Sequence, residues 1–174
     1  MDFKSWDMDL LADYIEKKHH RYVEEKSLEI KPMLAKICEV HGDSHPELLE
    51  IQAEFAASIG ELTAHMKREE LLLFPYIRKL FTSKKGKDNK PKAMFGSVAN
   101  PISQMKDEHN EEGERYRKIS KLSKEYTPPA DACNTYSVTF ALLKEFEEDL
   151  HLHIHLENNI LFPKALELEG AFFS

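Results

Sequence analysis

With 174 residues, 41% of them hydrophobic, the chain is long enough to bury a core without disulfides and reads as a single domain over residues 1–174. Its formal net charge of −7 excludes a nucleic-acid binder, because neutralising phosphates needs a basic face. Cys38 and Cys133 are too few for a sulfur-held cluster or a thiolate zinc site and read as ordinary buried thiols of a reducing compartment. The apolar runs fall far short of the ~20 residues of a membrane span, and MDFKSWDMD lacks the basic-then-apolar pattern of a leader, so the expected location is the cytoplasm with no membrane partner.

Glycine and proline cluster at HGDSHPE, at SKKGKDNKPKAMFGSVANP and at TPPAD, leaving four long helical segments at about 7–41, 47–81, 101–126 and 131–168. Two short connections make two hairpins and the Lys-rich stretch at about 83–100 is a flexible, solvated connection, so the expected fold is all-α, an antiparallel four-helix bundle. In the first segment the stripe Leu11, Ile15, Tyr22 and Met33 brings His19 nearer the core than His20. His41 lies roughly 31 Å along a straight helix from His20 and is assigned, with His45, to the turn. The second segment keeps an unbroken three-four spacing through Leu48, Ile51, Phe55, Ser58, Leu62, His65, Glu69, Leu72 and Tyr76. In the third, Ile102, Met105, His109, Glu112, Tyr116 and Ile119 share a face. Leu142, Phe146, Leu150, His153, Glu157 and Ile160 do so in the fourth.

The most informative feature is a repeat. HMKREELLLFP from His65 recurs as HIHLENNILFP from His153, so His65 with Glu69 and His153 with Glu157 stand four apart on one helix face. One such pair is common on solvated helices, but two copies ending in the same Leu-Phe-Pro point to a metal site. Buried carboxylates need a cation or a proton partner. Counted from the hairpin turns, His19 and His20 and also His109 fall level with His65 and His153, so that four helices each deliver one histidine to one core, with two glutamates beside them. Each glutamate can bridge two metals about 3.5–4 Å apart. Imidazole and carboxylate suit iron or manganese, with zinc possible by affinity. Iron is preferred because this set leaves positions for a bridging oxo or hydroxo group and for a small ligand. A ferritin-like oxidase would need Glu-x-x-His on two helices, and only Glu16 with His19 has that order.

The runs KKHHRYVEE, VHGDSHPELLE, HMKREELLLFP, ISQMKDEHNEEGE, TPPADAC and HIHLENNILFP resemble the haemerythrin-like domain of the repair-of-iron-centres family over nearly the whole chain. That resemblance implies a non-haem di-iron centre in a four-helix bundle, with His20, His65, His109 and His153 as terminal ligands and Glu69 and Glu157 as bridges. It favours His20 where the apolar stripe favours His19, and marks Glu108 as a pocket residue. The function it implies is repair of iron–sulfur clusters after nitric oxide or oxidative damage, by iron delivery more than by enzymatic turnover. Damaged iron–sulfur proteins or their scaffolds are then the partners. The alternative is a haemerythrin-like carrier, sensor or reductase for oxygen or nitric oxide. Longer members of that family carry a cysteine-bearing N-terminal domain, which this sequence is expected to lack.

Overall fold

The computed structural model describes residues 1–173, and every regular element among them is helical. A short turn at Phe3–Ser5 precedes α1 (Met8–Tyr14), which passes through a wide π-helical turn at Ile15–His20 into α2 (Arg21–His41). The second run is α3 (Glu47–Arg68), a π turn at Glu69–Leu73 and α4 (Phe74–Lys85). The third is α5 (Ala99–Leu122). The fourth is α6 (Asn134–Leu156), a π turn at Glu157–Leu161 and α7 (Phe162–Gly170), followed by a tight turn at Ala171–Phe173. These four long runs make the expected all-α, haemerythrin-like helical bundle.

The ends follow from local chemistry. At Gly42, which ends the first run, the N–H bonds to the Cys38 carbonyl at 2.9 Å, and a Cβ there would lie 2.3 Å from that oxygen, so only glycine fits. The third run stops at Leu122, short of the 126 expected, because Lys124, Glu125 and Tyr126 all take left-handed φ values of 51°, 58° and 58°. The Lys-rich connection is shorter than expected, since α4 runs on to Lys85 and α5 starts at Ala99. Glu169 holds its far end, accepting bonds from Ser97 Oγ at 2.6 Å and from the Val98 N–H at 3.0 Å, while Tyr76 OH donates to it at 2.9 Å.

Contacts divide the chain into two compact units, and all four runs contribute a segment to each. The first comprises Met1–His20, Ala64–His109 and the chain from Leu152 on. In its core α1 packs on α4 and α4 on α7, with Leu11, Phe74, Ile77 and Phe162 buried in one cluster together with Ile15 and Leu161 of the adjoining π turns. Each such fully buried side chain contributes about 1.5–3 kcal/mol, so the core outweighs any surface ion pair here. The second unit comprises Arg21–Thr63 and Asn110–His151. Its core is aromatic, with the Phe55 and Phe146 rings edge-to-face at 5.3 Å and Tyr116 OH bonded to Ser58 Oγ at 2.8 Å. Cys38 is half-buried and Cys133 exposed, unlike the buried thiols expected.

Two of the π turns correct the sequence stripes. In the first two runs the inward face moves by a residue at the turn, because five residues fill a turn that normally holds about four, while Tyr76 and Ile160 are buried as expected. Leu72, expected inside, is 51% exposed, and Leu73 takes its place. In the first run Tyr22 and Met33 are only half-buried, while Val23, Ile30 and Leu34 face the core. Leu142 likewise yields to Leu143, although no π turn precedes it. The third run has no such turn, and all six residues of its stripe are buried.

Candidate metal centre

The repeated Leu-Phe-Pro explains the π turns of the second and fourth runs. The Phe74 N–H bonds back to Glu69 O and the Phe162 N–H to Glu157 O, five residues apart. Pro75 and Pro163 follow with no N–H to offer, so the helix widens there without stranding a donor. The widened turns begin at Glu69 and Glu157, and the first run's own π turn ends at His19 and His20. All the sequence-identified candidates, His20, His65, Glu69, His109, His153 and Glu157, fall within the first unit and are at most 4% exposed.

Their ligand atoms form two groups. His20, Glu69, His153 and Glu157 make one and His65, Glu69, His109 and Glu157 the other, and within each group the atoms lie within 4.8 Å of one another. Both groups use the same two glutamates. His65 Nε2 is 2.7 Å from Glu69 Oε1, and His20 Nε2 is 3.7 Å from the same oxygen. On the other carboxylate, His153 Nε2 is 2.5 Å from Oε1 and His109 Nε2 is 3.4 Å from Oε2. His65 Nε2 and His109 Nε2 face each other at 3.1 Å. Two nitrogens held at ~2.1 Å from one ion stand roughly 3.0–3.4 Å apart, so this spacing fits a shared metal.

The electrostatics point the same way. Among the described residues, both oxygens of Glu69, both oxygens of Glu157 and both ring nitrogens of His153 are buried without an aligned hydrogen bond. Orphans of this kind are costly unless a cation or proton satisfies them. Burial, reinforced by the Glu157 charge, pushes Glu69 well above the ordinary carboxylate range. Burial opposes ionisation of Glu157 too, but the charge of His153 holds it well below that range. Two carboxylates buried side by side are costly, and a cation would satisfy both. Burial also lowers His65 to about 4, which keeps its imidazole neutral and its lone pair open at neutral pH.

Each motif copy also grips a histidine from the preceding helical run. His20 Nδ1 donates to Glu70 Oε1 at 2.9 Å, and its ring lies on Phe74 at 5.7 Å with 12° between planes. His109 Nδ1 donates to Asn158 Oδ1 at 2.8 Å, and its ring lies on Phe162 at 6.1 Å and 3°. The residue after each glutamate and the Phe of each Leu-Phe-Pro therefore do equivalent work. His19 is also fully buried, but it is outside both groups, its ring stacked 5.7 Å from that of His153. Glu108 is half-buried, accepts from His65 Nδ1 at 3.2 Å and pairs with Arg68. His41 and His45 belong to the second unit, where Asp131 accepts from His45 at 2.9 Å and Tyr136 packs edge-on against His41 at 5.1 Å. Sequence reasoning missed Glu70, Asn158, Phe74 and Phe162, although their equivalent places in the repeat were visible.

Comparison with known proteins agrees with this geometry. Residues 12–165 match the model of the hemerythrin HHE cation binding domain. The chain belongs to that family. Over 168 residues it is 34% identical to the iron–sulfur cluster repair protein YtfE of Yersinia pseudotuberculosis, covering 97% of this chain and 70% of that protein. The protein of the same name from Musicola paradisiaca is 36% identical over 170 residues, covering 96% and 71%. No helix among the described residues is long and apolar enough to cross a membrane.

Proposed function

We propose that this hemerythrin HHE domain binds two iron ions and serves in the repair of iron–sulfur clusters damaged by nitric oxide or oxidative stress, by giving up iron to the damaged cluster or its scaffold. His20 and His153 would hold one ion and His65 and His109 the other, with Glu69 and Glu157 bridging both. The observation that carries the reading is the pair of four-residue groups sharing both carboxylates. The names of the similar repair proteins support the role. The remaining parts of the proposal are a cytoplasmic location, a single domain over the whole chain, and delivery in place of turnover.

The residues divide the work. Glu69 and Glu157 supply negative charge in a site that excludes water, where each charge interaction is stronger than in solvent. The His65 imidazole, kept neutral by burial, adds no charge to the site. Iron bound there is the cargo, and when reduced it is held less firmly by carboxylates because its charge is lower. Glu108, hydrogen-bonded to His65 and 21% exposed on its side chain, is one carboxylate through which the ligand cluster meets solvent, and Glu70, bonded to His20 and 23% exposed, is another. A departing cation would pass there. A specific observation favours a second reading: the ligands are so completely buried that a small gas reaches them more easily than a hydrated ion leaves, as a carrier or sensor of oxygen or nitric oxide requires.

One experiment separates them. Reduced, iron-loaded protein is incubated with a nitric oxide-damaged iron–sulfur enzyme, and recovered activity is compared with iron lost from this protein. Delivery requires the two to rise together. Protein that keeps its iron against a moderate chelator yet binds oxygen or nitric oxide reversibly would overturn delivery in favour of the carrier.

A further inference from the structure

Two of the four ligand histidines, His20 and His109, come from helical runs without the repeated motif, and each depends on the neighbouring run for its orientation. A metal-binding imidazole coordinates through one nitrogen, and the partner of its other N–H fixes both tautomer and ring angle. For His20 that partner is Glu70 and for His109 it is Asn158, each next in sequence to a shared glutamate. Both bonds run from Nδ1, so both rings turn Nε2 toward the carboxylates. Phe74 and Phe162 close the opposite constraint by lying flat against the same rings. The two arrangements match in every part except one: the acceptor is a carboxylate for His20 and an amide for His109.

We propose that Glu70 and Asn158 are positioning residues, each serving one metal of the pair, and that the carboxylate-for-amide difference between them makes the two metal positions unequal. The inference rests on the two-metal reading of the site. A carboxylate acceptor draws the Nδ1 proton more strongly than an amide and makes the far nitrogen a stronger donor. Glu70 therefore acts on the ion held by His20 and His153, and Asn158 on the ion held by His65 and His109. The other Nδ1 contact, from His65 to Glu108, does not repeat the arrangement, because Glu108 lies on α5 and is paired with Arg68.

The test uses the full chain loaded with 57Fe, with Mössbauer spectra, chelator competition and melting of the metal-free protein recorded for wild type, Glu70→Gln, Glu70→Ala, Asn158→Asp and Asn158→Ala. The wild type should show two distinct iron environments. Glu70→Ala should shift one of them and weaken one ion by about 10–100-fold, and Asn158→Ala should do the same to the other. Glu70→Gln, which keeps an acceptor but loses the charge, should fall between wild type and Glu70→Ala, and Asn158→Asp should retain or tighten its ion. The metal-free proteins should melt together. Equal weakening of both ions in step with a lower metal-free melting temperature would overturn the proposal in favour of a structural role. Iron retention unchanged in both alanine variants would also overturn it. A wild type that takes up no stoichiometric metal overturns the two-metal reading itself, which the variant comparison cannot do.

Discussion

Glu69 and Glu157 carry no aligned hydrogen bond, lie fully buried and each belong to both ligand groups. Replacing either with alanine should therefore cost both ions, not one, as iron measured per purified chain will report. His41→Ala is the contrast: its ring packs on Tyr136 in the other unit, and iron content should stay near normal. The adjacent histidines of the first run give a sharper case. One residue of helix is a 100° rotation, so a regular helix could turn only one of them inward. The π turn brings both inside, and His20, which belongs to a ligand group, has an acceptor and a flat aromatic partner like those of His109. His20→Ala should lower iron binding more than His19→Ala, and the reverse order would assign the ligand to the apolar stripe's choice. From sequence, the repeat located the site, because His, Glu and Leu-Phe-Pro coincide in both copies. The first-run ambiguity survived because a three-four spacing assumes a uniform helix.

At the scale of elements, that assumption fails at three turns, and every one of them carries candidate metal residues. Helix number and turn positions were legible because glycine and proline mark the breaks. The register beyond Glu69 was not, because an extra residue in a turn leaves no compositional trace except the proline that permits it. The widened turn at Glu69–Leu73 carries Leu71 and Leu72 outward, 73% and 51% exposed, while Glu69 and Leu73 stay inside. Deleting Leu71 should let a regular helix form with Leu73 still in the core. Circular dichroism should show a folded, helical protein, whereas iron retention should fall about tenfold or more, because Glu70 and Phe74 no longer meet His20. Full iron retention in that deletion would show that the π turn is incidental. Elsewhere in the same unit, Glu169 secures the end of the long connection. Burial opposes its ionisation, but bonds from Ser97, Val98 and Tyr76 hold its carboxyl below the ordinary range. Its contribution is therefore present above the unfolded carboxylate value of about 4.3 and lost as pH falls through the folded value. Glu169→Gln should destabilise the protein by about 2 kcal/mol at pH 7, with the gap to wild type closing as urea titrations are taken toward pH 3.

For the molecule as a whole, hydrophobic patterning accounts for the all-α fold. The chain divides by contacts into a unit that holds all six candidate ligands and a unit that holds none, which helical periodicity does not reveal because each stripe runs on through both. In the ligand-free unit Ser58 and Tyr116 bond to each other, whereas no oxygen of Glu69 or Glu157 in the other unit has an aligned hydrogen bond. The central claim is that those glutamates await two cations. Iron content of protein purified without added metal, measured together with its Mössbauer spectrum, tests this most directly. The account predicts about two irons per chain in wild type, in two environments coupled to each other, and almost none in Glu69→Ala or Glu157→Ala. A single tightly bound ion, or stoichiometric zinc with no uptake of iron on reconstitution, would contradict it.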